Sequence, residues 1–390
     1  MEFSGRKIVV AGAGIGGLAS ALALRQRGAE VVVLEQADAI REVGAGLQIS
    51  PNGVAVLRAL GLERALKSIS MASKAVVLRD FRAPGEVLRL DFNTQPEAED
   101  YRLVHRADLV DLLADAVRRA GVNIRLLQKI DSVEDGQRAQ VRMANGAEVE
   151  ADLLVGADGL HSTSRIALNG ADRPFFTGQV AWRALVPNTL GLPSEAQIFM
   201  GPGRHLVCYP LRNDTVVNIV AVQERREWAA EGWDHSDDPD NLREAFAGFE
   251  GTPRAILEQV IDVRLWGLFR HPVARRWHGQ SVAILGDAAH PTLPFMAQGA
   301  NLALEDAWVL ADSLSGAATM RDGLRRYQSR RRERAERVIA AANGNAWKFH
   351  VRPAPVRKAG HIALRLAGAL APERMLRRFD WIYGHDVTAT

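Results

Sequence analysis

Cysteine is nearly absent. Cys208 is the single one in 390 residues, which excludes an internal disulfide and leaves no thiolate cluster for zinc or an iron–sulfur centre. No metal site is expected, and a reducing cytoplasm is the expected setting. A long apolar run is also missing, and with it any expected membrane span. With only residues 1–6 ahead of the first hydrophobic segment, no signal peptide is expected. Charge of one sign is scarce, since a net +3 is too small to imply nucleic acid. Internal repeats and low-complexity linkers are missing too. At 47% hydrophobic and 24% charged residues, the chain reads as an ordinary globular protein long enough for two or three domains.

What is present is organised around residues 7–35. Ile8, Val9 and Val10 form a short apolar run expected as a buried parallel strand, and it stops at Gly12-Ala13-Gly14-Ile15-Gly16-Gly17, a G-x-G-x-x-G turn. Leu18, Ala21, Leu22 and Leu24 then recur on overlapping helical faces up to Gly28, and Glu30–Leu34 gives a second strand before the acid Glu35. Strand, glycine turn, helix, strand and acid in that order read as a βαβ nucleotide cradle. Gly12 allows the tight turn, Gly14 lets a pyrophosphate approach the backbone, and Gly17 lets helix and strand pack closely. The helix N-terminus offers N–H groups to the phosphates. Glu35, 18 residues beyond Gly17, suits a ribose 2′-OH and would repel a 2′-phosphate, so the expected ligand is the adenosine half of FAD or NAD rather than NADP.

Further along, Ser50 followed by Pro51 suits a helix N-cap with proline at the first helical position. Alternating segments near 75–78 and 87–90 suggest a strand pair. Leu109, Leu112, Leu113, Ala116 and Val117 lie on one face of a helix opened by His105. Asn145-Gly146 between two alternating segments signals a hairpin. Leu153–Gly156 is an apolar run ended by Asp158-Gly159, which taken alone is an ordinary Asp-Gly turn. Between about 176 and 270, strands separated by Pro, Gly, Asn and Asp give the pattern of an antiparallel sheet. Residues 281–285 return to a buried strand leading into Gly286-Asp287-Ala288-Ala289-His290-Pro291, and Gln298-Gly299-Ala300-Asn301 opens a helix. The arginine-dense run 325–337 is expected as a solvated helix with intrahelical ion pairs in preference to a nucleic-acid surface. The expected class is α/β. A Rossmann-like nucleotide domain (1–175, resumed at 273–320) is interrupted by a sheet domain (176–272) and followed by C-terminal helices (321–390).

Three separated motifs, Gly12 to Gly17 with Glu35, Asp158-Gly159 with Arg165, and Gly286-Asp287 with His290-Pro291, resemble in order and distance those of the single-component FAD-dependent aromatic hydroxylases. These are the flavoprotein monooxygenases related to para-hydroxybenzoate hydroxylase, and the resemblance covers nearly the whole chain. His105-Arg106-Ala107-Asp108-Leu109, Val180-Ala181-Trp182-Arg183, Ala297-Gln298-Gly299 with Glu305-Asp306-Ala307, and Trp381-Ile382-Tyr383-Gly384-His385-Asp386 are similar to the salicylate and 3-hydroxybenzoate hydroxylase branch.

The resemblance implies noncovalent FAD. Its ADP part would lie on Gly12, Gly14, Ile15, Gly16, Gly17 and Glu35, with Arg41 near the adenine half. Arg106 would reach toward the phosphate and ribityl region, Asp287 would bind the ribityl chain, and Asp158 is associated with the pyrophosphate and the passing nicotinamide. Gly299, Ala300 and Asn301 would set backbone N–H groups and a helix N-terminus beside the flavin N1 and C2=O. NAD(P)H is then a transient co-substrate, which the lack of a second glycine cradle fits. O₂ adds to reduced flavin as a C4a-hydroperoxide whose terminal OH passes to an electron-rich ring. The other partner implied is a small aromatic acid of the salicylate or 3-hydroxybenzoate type, and a homodimer is one assembly compatible with it.

Such chemistry needs a base within reach of the substrate hydroxyl. His205 is the choice. It begins the strand 205–209, and period-two alternation puts His205, Val207 and Tyr209 on one face. The resemblance also implicates a histidine at this place and Gln298 in handling the hydroxyl, with Tyr209 extending the network. The alternatives are a histidine satisfied by backbone or water, or His290 as the base. Arg183 is expected as a carboxylate anchor, against a buried structural ion pair. Rival functions are a related hydroxylase or epoxidase acting on hydroxynicotinate or a polyketide, a non-catalytic FAD- or NAD-binding regulatory protein, and a flavin-free dehydrogenase in which Gly286-Asp287 has no role.

Overall fold

In the computed structural model, residues 5–40, 46–94, 100–225 and 235–389 are described. Ile8, Val9 and Val10 are completely buried, and their strand, Lys7–Ala11, stands at the centre of a five-stranded sheet. The order is Val282–Ile284, Leu153–Gly156, Lys7–Ala11, Glu30–Leu34, Asn123–Arg125, and every pairing is parallel. Parallel strands need both faces covered. The helix Ile15–Gln26 buries ten consecutive residues, Ile15 to Leu24, between this sheet and the helices Arg106–Arg119 and Gly299–Ser315. The Asn145-Gly146 turn joins Ala139–Met143 to Glu148–Ala151 in a three-stranded antiparallel sheet, with Gly146 at φ +84° as the turn requires.

The second large sheet has eight strands in the order Ser236–Asp237, Val263–Arg270, Phe175–Pro187, Val216–Glu224, Arg204–Leu211, Ala196–Gly201, Ala75–Asp80, Glu86–Asp91. The sequence pattern confined this sheet to residues from about 176 to 270. In the structure, Ala75–Asp80 adds parallel to Ala196–Gly201 and brings Glu86–Asp91 with it. A long-range parallel pairing leaves no local turn signal, so the spacing of the strands did not reveal it.

Alternation divides the residues of this sheet between two faces. Trp182, Ala184, Leu206, Cys208, Val217, Ile219 and Ala221 pack with Leu242, Phe246 and Phe249 into an apolar core. Their neighbours Arg183, His205, Val207, Tyr209, Val220 and Val222 face the other way, into a cavity. A small antiparallel sheet of Gly46–Ile49, Arg102–His105 and Ser70–Ala72 contributes Gln48 and, just after its middle strand, Arg106 to the same cavity.

The arginine-dense run forms the helix Met320–Ala346. Arg325 with Asp322 and Arg332 with Glu336 are intrahelical pairs as expected. A fully solvated helix is not what forms: Arg331 is 0% exposed and reaches Glu305 and Asp306 of another helix, and Arg334 joins it on Glu305. No helix among the described residues is long and apolar enough to cross a membrane.

Candidate active site

The glycine turn is built as its spacing requires. Gly12 has φ +97°, and a Cβ there would stand 2.4 Å from the Ala157 carbonyl oxygen. A Cβ on Gly17 would stand 2.0 Å from the Gly12 oxygen, so helix and strand touch through bare backbone. Gly16 has the same character toward Leu285, whose Cδ1 would lie 2.7 Å away. Gly14 differs, because nothing lies within 4 Å of the Cβ it lacks. That open space, over the first N–H groups of the helix Ile15–Gln26, fits a pyrophosphate and would be filled by any larger side chain. Glu35 braces the turn, its carboxylate accepting from Ala13 N at 2.7 Å and Ala37 N at 2.9 Å. Arg41 lies outside the described residues.

The second and third motifs turn out to be one construction. Asp158 commits both oxygens to the turn that follows, accepting from Ser162 Oγ at 2.5 Å, Thr163 Oγ1 at 3.1 Å and Ser164 N and Oγ at 3.0 Å each. This fixes the helix Thr163–Asn169 and the buried Arg165 on it. Arg165 then donates to the carbonyl oxygens of Ala288 at 3.0 Å, Ala289 at 3.2 Å and Pro272 at 2.6 Å. From the other side, Asp306 accepts from Gly286 N at 3.0 Å, and His290 Nε2 lies 2.5 Å from the same carboxylate oxygen while its ring packs at a tilt on Trp277. His290 is therefore a loop-packing residue, 1% exposed. The pinned loop presents Asp287 to the cavity. The Asp287 side chain is open to the cavity, the surrounding protein pushes its pKa up by desolvation, and His290, Arg106 and His271 nearby oppose that. A carboxylate with cationic neighbours, facing a cavity beside a glycine cradle, is the donor and acceptor set a polyhydroxylated ribityl chain needs.

The helix Gly299–Ser315 begins at the same wall. Gly299 and Ala300 line the cavity, and the first N–H groups of a helix have no partner within it. Ala297, just before, holds φ +52°, a strained conformation for a residue with a Cβ. Asn301 keeps it there: Nδ2 donates to Ala297 O at 2.8 Å and Gln48 O at 3.1 Å, and Oδ1 accepts from Ser50 N at 3.1 Å. Gln298 is also held from behind, Nε2 donating to Ser50 Oγ at 2.9 Å and Oε1 accepting from Asn52 Nδ2 at 3.1 Å. Asn52 in turn donates to Glu305 at 2.6 Å, which joins the Gln298 amide to the buried Arg331 network. Ser50 does occupy the N-cap position of the helix Pro51–Ala59, but its hydroxyl serves this network and not the helix end.

Across the cavity, which has a volume of about 310 Å³, lies the sheet. His205 is almost fully buried against the rings of Phe295 and Phe349. Its Nδ1 lies 2.7 Å from His350 Nε2, which leaves Nε2 as the ring nitrogen on the cavity side. Burial first, and then His350, pushes its pKa well below the ordinary histidine value, so the ring is neutral at pH 7 and a lasting positive charge on it is disfavoured. Tyr209 is raised by burial, and Arg183 and a hydrogen bond to Gln48 oppose that. Tyr209 owes its place to Gly46, since a Cβ there would lie 2.6 Å from the Tyr209 ring. The Arg183 guanidinium lies 4.5 Å from the centroid of Trp266, and burial followed by Arg106 lowers its pKa to about 10. Two arginines bordering one largely apolar chamber create a strong preference for an anionic guest.

His205, Tyr209, Gln298, Arg183, Arg106, Asp287, Gly14, Ile15, Gly16, Gly299 and Ala300 thus line one cavity. Gly12, Gly17, Glu35, Asp158 and Asn301 shape or support its wall. Gln48, Trp266, Phe295, Asn52 and His350 were not singled out from the sequence. A lone aromatic or amide in a strand or loop gives no periodic signal, and only the folded chain brings them together.

A family model described as FAD binding domain matches residues 6–342. The 3-amino-4-hydroxybenzoate 2-monooxygenase PtmB3 of Streptomyces platensis is 34% identical over 97% of this chain and 96% of its own. The 3-hydroxybenzoate 6-hydroxylase 1 of Aquipseudomonas alcaligenes is 30% identical over 97% of this chain and 98% of its own. Among solved structures, Klebsiella pneumoniae HpxO complexed with FAD and uric acid superposes with a TM-score of 0.86 at 25% identity, covering 97% of this chain and 98% of that one.

Proposed function

The chain belongs to the FAD-dependent aromatic monooxygenases, and from that premise we propose that it uses NAD(P)H and O₂ to hydroxylate a small aromatic acid that already carries a ring hydroxyl. The observation that carries this reading is the single cavity. Gly14, Asp287 and Gly299 line it together with His205, Tyr209 and Arg183, so a cofactor held by the first group lies against a guest held by the second. FAD, when bound, supplies the activation of O₂ with electrons taken from NAD(P)H.

The chain's own residues do the rest. The turn at Gly14 and the N-terminus of Ile15–Gln26 hold the pyrophosphate, and Asp287 and Arg106 hold the ribityl chain. The N-terminus of Gly299–Ser315 stabilises negative charge on the ring system. Arg183 pairs with the substrate carboxylate, because a guanidinium lining the cavity over Trp266 presents the planar fork that matches a carboxylate. His205 Nε2 accepts the proton of the ring hydroxyl, which makes the ring electron-rich, and Gln298 and Tyr209 orient that hydroxyl. Trp266, Leu268 and Phe295 form an apolar cluster that keeps water out. The substrate type named by both relatives, a hydroxylated benzoate, has the anion and the acidic hydroxyl these side chains suit. The test is oxidation of NADH and of NADPH by the FAD-loaded protein with salicylate, 3-hydroxybenzoate, 3-amino-4-hydroxybenzoate and 6-hydroxynicotinate. At least one should stimulate oxidation well above the substrate-free rate. No stimulation by any of them overturns the reading.

A further inference from the structure

His205 is the inner end of a line of titratable side chains that leads out of the cavity. Its Nδ1 lies 2.7 Å from His350 Nε2, and His350 Nδ1 lies 3.2 Å from Glu224 Oε1. The other Glu224 oxygen accepts from Arg352 Nη2 at 2.6 Å and Nε at 3.0 Å. Exposure rises outward along the line: His205 and His350 are 2% and 3% exposed, and the side chains of Glu224 and Arg352 are 33% and 64% exposed.

Three separate parts of the chain make this line: the strand Arg204–Leu211, the end of the strand Val216–Glu224, and the segment after the helix Met320–Ala346. The backbone ties them together. Gly203 N donates to His350 O at 3.0 Å, and Glu224 N donates to Gly203 O at 2.9 Å. Gly203 has φ +71°, and a Cβ there would lie 2.7 Å from Arg352 Nη2, so glycine makes room for the guanidinium that holds Glu224.

We propose that His350 and Glu224 form the exit for the proton that His205 takes from the substrate hydroxyl, His350 acting through His205 and not on the substrate. The inference rests on the hydroxylase reading above. In the resting arrangement His205 carries its proton on Nδ1, donating to His350 Nε2, and His350 carries its own on Nδ1, donating to Glu224. When the ring hydroxyl gives its proton to His205 Nε2, the Nδ1 proton of His205 passes to His350 Nε2. The Nδ1 proton of His350 passes to Glu224, which is open to solvent. One proton leaves the cavity, a phenolate stays behind, and both imidazoles end neutral with their protons moved from Nδ1 to Nε2. The same transfers run in reverse, from solvent through Glu224 and His350, reprotonate the product phenolate and restore the resting tautomers. An isolated His205 would have to hold a positive charge in a site that burial and His350 make hostile to it. His350 is also lowered by burial, with Glu224 opposing and Arg352 and Arg204 adding to the lowering. The rings of Phe295 and Phe349 pack on His205, and His350 is the titratable side chain hydrogen-bonded to its Nδ1, placed to receive its proton.

The experiment follows ionisation of 3-hydroxybenzoate bound to the oxidised, FAD-loaded enzyme after a pH jump, by phenolate absorbance and without turnover. His350→Gln retains a hydrogen-bonding side chain beside His205 but cannot pass a proton. Its dissociation constant for 3-hydroxybenzoate should stay within about twofold of the parent while ionisation slows by roughly tenfold or more. In His350→Ala, added imidazole should restore the rate. Unchanged ionisation in His350→Gln overturns the relay. Should 3-hydroxybenzoate not bind, the same ionisation is followed with whichever of salicylate, 3-amino-4-hydroxybenzoate and 6-hydroxynicotinate does; if none binds, the hydroxylase reading fails and the relay is judged separately by nitrogen NMR of ¹⁵N-histidine-labelled holoenzyme. His205 protonated on Nδ1 sustains the relay, and His205 protonated on Nε2 toward the cavity overturns it.

Discussion

Replacing Arg331 by methionine removes a guanidinium that two buried carboxylates share. Arg331, Glu305 and Asp306 are each 0% exposed, with Arg331 Nη1 2.5 Å from Glu305 and Nε 2.7 Å from Asp306. Removing one partner of a buried ion pair costs about 3–5 kcal/mol, because the charge left behind is desolvated and uncompensated. Here Glu305 keeps Arg334 and Asn52, and Asp306 keeps His290 and Gly286 N. The expected loss is therefore at the lower end, about 3 kcal/mol, a large share of a typical stability of about 5–15 kcal/mol.

The acid limb of stability should change as well. Burial opposes ionisation of Asp306, yet His290 and then Arg331 hold its carboxyl at about 2 against an ordinary 3.8. A depressed carboxyl stabilises the fold above its unfolded value and loses that contribution as pH falls from about 4 toward 2. The shift corresponds to about 2 kcal/mol. In Arg331→Met the shift shrinks, so this acid-sensitive contribution becomes smaller. Urea unfolding at pH 7 and along a pH series measures both effects. The double change Arg331→Met, Asp306→Asn should recover part of the loss, since Glu305 keeps Arg334 as its partner and no carboxylate is left without one. A single-variant loss below about 1 kcal/mol, with an unchanged urea slope, would refute the view that this triad carries stability.

Gly14→Val should fold but purify colourless, because its side chain fills the open space over the helix N-terminus; flavin absorbance at parental occupancy would contradict that. His205→Ala should retain FAD and substrate affinity while hydroxylating slower by about 10²–10⁴-fold, with reduced flavin diverted to hydrogen peroxide; normal turnover and coupling would remove His205 from the mechanism. Arg183→Met should raise KM for an aromatic acid far more than for the corresponding aromatic without a carboxylate, and equal changes for the two would remove the anchor.

Local features were legible in the sequence where the physics is local. The Gly12 to Gly17 turn is forced by clashes within a few residues and with one neighbouring strand, and the alternation that put His205, Val207 and Tyr209 on one face is a property of any strand. Ser50 shows the limit: its position at a helix start was readable, but its hydroxyl answers to Gln298, 248 residues away. Arg331 shows it more sharply. In a run of arginines nothing local marks the one that will be fully buried against two acids from another helix, because burial is decided by how the two helices cross. The Asp158 and Asp287 motifs were read separately, and their connection through Arg165 exists only in the folded chain. Nor did any pattern in a C-terminal tail place His350 against His205.

The most direct measurement is isotopic. With ¹⁸O₂ and NAD(P)H, the FAD-loaded enzyme should place one ¹⁸O atom in the ring of the aromatic acid that best stimulates nicotinamide oxidation, and product should approach the NAD(P)H consumed. Unlabelled aromatic acid, with hydrogen peroxide accounting for all the NAD(P)H, would mark the protein as an oxidase and contradict a cavity that joins cofactor and ring for hydroxylation.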